Sequence, residues 1–272
     1  MANNEIHYRD TGSGGPLIVL VHGNSQSSDG FIPVLASPLG SQYRIIAPDL
    51  PGHGDSPPSP SPQETYTLSG YASVLIELAD KLDLAGAIWV GNSLGGHILF
   101  NAWSDLPNPA GLLVYGTPPL EDPPAMDIAF NPVPGIQHFF SPERSNKIAE
   151  EVAAALSVEG KDFSTQIIRD FLRTDPIARQ RIGEILASGI GTDESEVVKN
   201  LGKSIAILHG EFDRCINLEY FDRLTIPQLW RGAVQIISGG GHLSHMDAPA
   251  EFCELLGAFA DEVFTSTAII ES

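Results

Sequence analysis

The chain has 272 residues, enough for one large α/β domain with an insertion. Its 34 Asp and Glu against 15 Lys and Arg give a net charge of −19, a field that repels nucleic acid and anionic membrane surfaces and admits a neutral small molecule more easily. Only Cys215 and Cys253 are present, with no CxxC spacing, which argues against a disulfide scaffold. The first residues carry neither the basic nor the apolar region of a leader, and no apolar run approaches the roughly 20 residues of a membrane span. The expectation is a soluble cytoplasmic protein, a monomer or homodimer.

In chain order, Leu17-Ile18-Val19-Leu20-Val21 is a continuous apolar, β-branched run ended by His22-Gly23, the pattern of a strand buried on both faces of a parallel sheet. Residues 43–47 repeat it. Leu68, Tyr71, Ala72, Leu75, Leu78 and Leu82 then fall at helical spacing behind an N-cap at Thr67. Residues 87–90 and 112–115 read as two more strands. Between 118 and 202 the rhythm breaks, with helical patterns at 142–156, 163–172 and 177–186 and about 85 residues between strands, too long for one crossover. These are expected to form a helical cap, with 1–117 and 203–272 as the core domain. Strands return at 205–208 and 233–237, and Phe252, Leu255, Leu256, Phe259 and Val263 line a closing helix from about Pro249. Strands alternating with helices predict a mostly parallel sheet covered on both sides.

The strand at 87–90 runs directly into Gly91-Asn92-Ser93-Leu94-Gly95, the Gly-x-Ser-x-Gly pattern of a nucleophile elbow. A serine hydroxyl is a weak nucleophile at neutral pH and needs a neutral imidazole, itself oriented by an acid. Asp213 follows the strand at 205–208 and His242 follows Gly239-Gly240-Gly241, so the order Ser93, Asp213, His242 brings all three to the carboxyl edge of the sheet. Each has a neighbour that competes. Glu211 is nearer its strand end but fits a cap or exposed charge equally well, and His245 lacks the glycine run that would press its loop onto the sheet. Backbone N–H groups of Leu94 and of Asn24, in the loop after the first buried strand, are the expected oxyanion donors. His22 and His97 flank the site and read as packing or hydrogen-bonding residues. No HxH or HExxH set is present, so no metal is expected. Phe31, Phe130, Phe139 and Phe140 are candidates to line an acyl pocket, with ordinary core packing the competing reading at each.

His22-Gly23-Asn24-Ser25, Pro48-Asp49-Leu50-Pro51-Gly52-His53-Gly54, the elbow, Gly210-Glu211-Phe212-Asp213 and Gly241-His242, in that order, resemble the α/β-hydrolase superfamily along nearly the whole chain. That resemblance implies an eight-stranded, mostly parallel sheet with a helical cap inserted after the sixth strand, and cofactor-free serine hydrolysis. More narrowly, the run from Ser93 to Ile98, Gly116-Thr117-Pro118-Pro119 and Arg173-Thr174-Asp175 look like the metal-independent N-acyl-homoserine lactone hydrolases. This likeness implies attack of Ser93 on a lactone carbonyl and an acyl-enzyme. Two departures concern specificity: Asn92 stands where those lactonases are expected to carry Trp, and no cap tyrosine is matched. A carboxylesterase acting on small esters is the main alternative. A cofactor-free perhydrolase, a hydroxynitrile lyase or a ligand-binding receptor follow.

Overall fold

The computed structural model describes residues 5–189 and 191–270. Seven strands form one sheet: β1 (Tyr8–Asp10), β2 (Leu17–Val21), β3 (Arg44–Pro48), β4 (Ile88–Asn92), β5 (Gly111–Tyr115), β6 (Ile205–Gly210) and β7 (Gln235–Ile237). Their order is β1-β3-β2-β4-β5-β6-β7, with β1 antiparallel to β3 and every other pair parallel. The expected eight strands are therefore seven among the described residues, and the insertion follows the fifth rather than the sixth. The reason is local. Ahead of β1 the His7 carbonyl accepts the Asp49 N–H at 2.8 Å, so the described residues there still run along β3 and do not open another strand.

Side chains alternate across the sheet. Ile18 and Leu20 pack with Val90, Leu113 and Leu208 on one face, while Val19 and Val21 pack with Trp89, Val114 and Ile207 on the other. Both faces are buried because helices cover both, which is why these strands read as unbroken apolar runs.

Helix α1 (Leu68–Leu82) buries Leu68, Tyr71, Ala72, Leu75 and Leu78 of the expected stripe, with Ala79 added and Leu82 only half-buried, and Thr67 caps it by accepting the Gly70 N–H at 2.8 Å. Helix α2 (Leu94–Ala102) is buried on almost every side, wedged between the sheet and α1.

Four longer helices occupy the stretch between β5 and β6: α3 (Asn146–Leu156), α4 (Ser164–Arg173), α5 (Pro176–Ser188) and α6 (Glu194–Lys199). Arg179 is wholly buried among them, its guanidinium 4.2 Å above the Phe171 ring and its N–H groups donating to the carbonyls of Ser141 and Phe171. A charge in that position is tolerated because its donors are met and its flat face lies on an aromatic ring. Arg173 at the end of α4 reaches the core, contacting Ser27, Asp29, Asp55 and Asp170. The closing helix α7 (Pro249–Ile270) covers the opposite face with Phe252, Leu256, Phe259 and Val263. No described helix is long and apolar enough to cross a membrane.

Candidate active site

Ser93 joins β4 to α2 with φ 49° and ψ −118°, backbone angles that cost an L-residue of order 1–3 kcal/mol. Neighbouring contacts hold the turn. The Ser93 N–H donates to the Tyr115 carbonyl at 3.0 Å, and the Thr117 hydroxyl donates to the Ser93 carbonyl at 3.0 Å. The two flanking glycines are required by close approach. A Cβ on Gly91 would lie 2.6 Å from the Gly96 Cα, and one on Gly95 would lie 2.4 Å from the Val21 carbonyl oxygen. β4 therefore runs into a helix that starts almost in contact with β2, and Ser93 is left partly exposed at the sheet edge.

His242 and Asp213 arrive from the neighbouring strand ends. The His242 Nδ1 is 3.0 Å from Asp213 Oδ2, and both side chains are buried. Burial pulls the His242 pKa down, but the Asp213 charge and this hydrogen bond outweigh it, so the imidazole titrates above its ordinary value. Burial likewise works against ionising Asp213, yet the His242 charge, that hydrogen bond and the Cys215 N–H keep its pKa low. Asn92 donates from its side-chain amide to the His242 carbonyl at 3.1 Å, tying the histidine loop to the elbow.

The competing residues separate clearly. Glu211 accepts from the Ser238 hydroxyl and the Gly239 N–H and so closes a surface loop. His245 is sealed beneath the sheet edge, with Nδ1 2.8 Å from the Tyr115 hydroxyl and its ring 4.6 Å from Phe31, and burial depresses its pKa to about 3. His22 accepts the Leu50 N–H through Nε2 and donates through Nδ1 to the Gly23 carbonyl, a loop-bracing role that fixes its tautomer.

Ser93, Leu94, Asn24 and His242 line one cavity of about 380 Å³. Much of its wall is apolar, with Leu68, Leu120, Met126, Phe130, Phe139 and Ile182 among the lining residues. Phe130, Phe139 and Phe140 lie where the sequence suggested, whereas Phe31 belongs to the core on the opposite face, against His245. The first N–H groups of α2, Leu94 included, have no intrahelical acceptor. Asn24 faces the cavity from the β2 loop, its side-chain amide donating to the Phe139 carbonyl at 2.7 Å.

Among the described residues, two side-chain groups have the composition of metal ligands. Asp213, Cys215 and His242 offer atoms within 4.8 Å of one another, as do His7, Asp49 and Asp55. Neither donor set is free. In the first, Asp213 is engaged by His242 and the Cys215 N–H, and burial pushes the Cys215 thiol up to about 12, away from the thiolate a metal needs. In the second, the Asp49 carboxylate already receives the Ser28 and Asp55 N–H groups.

Sequence reading missed the carboxylate paired with His97, which is Glu194 on α6. The two residues are 97 positions apart, and nothing local to Glu194 marks it.

A strand-to-helix turn of this kind, at the carboxyl edge of a mostly parallel sheet in this strand order, is the architecture of the α/β hydrolases. The chain belongs to the alpha/beta hydrolase family, whose family model matches residues 18–255. Crystal structures of the N-acyl homoserine lactonase AidH are among its structural neighbours. One, a variant complexed with N-hexanoyl homoserine lactone, has a TM-score of 0.90 and 30% identity over 97% of this chain and 96% of that one. The sequence resemblance to the lactonases is thus matched in three dimensions. Among curated sequences, the chain is 26% identical over 258 residues to the dihydrolipoyllysine-residue acetyltransferase component of the acetoin cleaving system of Cupriavidus necator, covering 92% of this chain and 65% of that protein. It is 23% identical over 267 residues to 2-hydroxy-6-oxononadienedioate/2-hydroxy-6-oxononatrienedioate hydrolase of a Pseudomonas species, covering 93% and 91%. The chain spans under two thirds of the first of these, and 25% to 34% of the next four curated relatives it matches.

Proposed function

We propose that the protein is a serine hydrolase of ester bonds whose substrate is an N-acyl-homoserine lactone, opened through an acyl-enzyme on Ser93. His242, neutral at its Nε2, takes the Ser93 proton as the hydroxyl adds to the lactone carbonyl. Asp213 holds the Nδ1–H and stabilises the imidazolium that forms. The N–H groups of Leu94 and Asn24 receive the developing oxyanion, each such donor being worth about 3–4 kcal/mol of barrier. Collapse of the adduct breaks the ring C–O bond, and His242 returns the proton to the departing alkoxide, which stays tethered as the hydroxyl of the acyl group. Water activated by the same histidine then releases the N-acyl-homoserine and restores Ser93.

The observation that carries this reading is that Ser93 and the Asp213-paired His242 open into one largely apolar cavity, of a size ordinary for a small-molecule site of roughly 300–1,000 Å³. The lactone assignment draws its support from the likeness to the AidH structures over nearly the whole chain.

The test is product analysis by HPLC and mass spectrometry of short- and long-chain N-acyl-homoserine lactones, with a p-nitrophenyl ester panel alongside. The expected result is a gain of one water that Ser93→Ala abolishes, at a kcat/KM well above that for the simple esters. Ester cleavage with the lactones untouched would move the substrate to a non-lactone ester while keeping the same residues. Ester and lactone turnover that survives Ser93→Ala would remove the serine mechanism.

A further inference from the structure

His97 lies four residues after Ser93, one turn along α2, and both line the cavity. Its Nδ1 is 3.0 Å and 2.8 Å from the two carboxylate oxygens of Glu194, which has no exposed side-chain surface. That carboxylate is itself fixed, because it accepts the Leu120 N–H at 2.9 Å while the Glu194 N–H donates to the Leu120 carbonyl at 2.8 Å. A carboxylate so placed accepts hydrogen bonds, so Nδ1 carries a ring proton, and in the tautomer that holds this proton alone Nε2 presents a lone pair. Among the described residues Nε2 has no partner. The side-chain amide oxygen of Gln26, another residue of the cavity wall, also lacks one, but that atom is itself buried.

The site thus has two histidine–carboxylate pairs, with different orientations and different uses. His242 arrives from the loop beyond β7. His97 rises from the nucleophile's own helix and turns an unused acceptor into a cavity whose walls are mainly hydrocarbon. An acceptor held rigidly beside a reacting carbonyl discriminates through what it loses, because a substrate without a matching donor leaves it desolvated and unpaired.

We propose that His97, held by Glu194, recognises a hydrogen-bond donor on the carbon next to the scissile carbonyl, so that α-acylamino lactones and esters are preferred over their α-acyloxy counterparts. This rests on the Ser93 cavity being the hydrolytic site. It makes His97 a specificity residue and Glu194 the residue that positions it.

The experiment compares matched pairs at pH 8, each pair differing only by N–H against O: α-hexanoylamino- and α-hexanoyloxy-γ-butyrolactone, and p-nitrophenyl N-hexanoylglycinate and O-hexanoylglycolate. The readout is the kcat/KM ratio within each pair for wild type, His97→Leu and the double variant His97→Leu with Glu194→Leu, which removes both polar partners together. Both members of a pair are measured on one preparation, so a partly unfolded variant lowers both rates and leaves the ratio unchanged. The ratio is expected to fall about tenfold in both variants, with His97→Gln, which keeps an amide acceptor, falling less. An equal ratio in wild type and variants overturns the inference. Lactones left intact while the ester pair shows a His97-dependent ratio would sink the lactone assignment and keep this inference. Lactones hydrolysed with a His97-independent ratio would do the reverse.

Discussion

The Asn24 side-chain amide donates to the Phe139 carbonyl at 2.7 Å, joining the loop after β2 to the helical insertion across 115 residues of sequence. The same loop carries the N–H proposed to meet the oxyanion, so the bond fixes a catalytic element from outside the sheet. Asn24→Ala keeps that N–H and removes the brace. The expected outcome is a fall of about tenfold in kcat, about 1.4 kcal/mol of barrier, because a donor aimed less well stabilises the transition state less. Asn24→Asp should be worse, since an acceptor then faces the Phe139 carbonyl. Steady-state kinetics on one ester and one lactone measure both.

Backbone strain at Ser93 gives a prediction with opposite signs for stability and activity. Glycine tolerates φ 49° and ψ −118° where an L-residue does not, so Ser93→Gly should raise the Tm while abolishing turnover. Ser93→Ala should abolish turnover with little change in Tm. The gain is bounded by about 1–3 kcal/mol of strain less the 0.5–1 kcal/mol of extra chain entropy glycine brings. Calorimetry on the three proteins decides it, and equal Tm values would show the turn to be relaxed.

The pH profile follows from His242, which must be neutral to act as base. Its pKa is raised, so kcat/KM should climb with a slope of one proton and level off only above the ordinary histidine value near 6.5. Asp247, which accepts the Gly241 N–H at 3.1 Å and whose own pKa burial raises to about 6, adds negative charge beside His242. Removing that charge with Asp247→Asn makes the imidazolium less stable and should move the midpoint to lower pH. A midpoint unmoved or moved upward refutes the coupling.

Acid stability has a separate source. Burial holds His53 and His245 neutral, each with its pKa depressed to about 3. The unfolded chain binds these protons near pH 6.5 and the folded chain only near 3, so stability is fully present above pH 6.5 and drains away as pH falls through that window. Each group contributes a slope of about 1.4 kcal/mol per pH unit inside it. His245→Phe should flatten the dependence of Tm on pH between 4 and 6 by one proton's worth, whatever its effect on Tm at neutral pH.

Arg173 is the main charged tie between insertion and core. Its removal takes the nearer cation from Asp170, which is buried and whose pKa burial already raises, leaving it Gln166, Ser27 and the more distant Arg169. Arg173→Met should cost roughly 1–3 kcal/mol, less than a fully buried pair because the arginine is a quarter exposed. Adding Asp170→Asn should recover part of the loss, and a double-mutant cycle gives the coupling.

The parallel strands, α1 and the three residues at the carboxyl edge were legible because each leaves a local trace: an apolar run, a helical stripe, or glycines where backbones touch. β1 was not, since Tyr8–Asp10 is three residues long, has no buried member, and exists only because β3 offers an open edge. The glycine run ahead of His242 already favours it over His245, and three dimensions supply the physical reason. The two are three residues apart, and only the Tyr115 hydroxyl and the Phe31 ring show which one is sealed away. Phe31, a pocket candidate for which core packing is the competing reading, proves to be core: the short helical turn carrying it swings under the sheet, and no local pattern records which face a loop will choose.

The pairing of Val21 with Gly91 in the β2–β4 ladder sets the last theme. Leu94 and Asn24 each lie three residues beyond that rung, so two neighbouring strands deliver the two proposed oxyanion donors to the same edge of the sheet. The insertion, by contrast, meets this machinery through a few discrete links: Asn24 to Phe139, His97 to Glu194, and the contacts of Arg173. Chemistry and selectivity are thereby inherited separately. A foreign insertion that restores those links could be grafted onto this sheet and would be expected to change which molecules enter while leaving the bond-breaking geometry as it was.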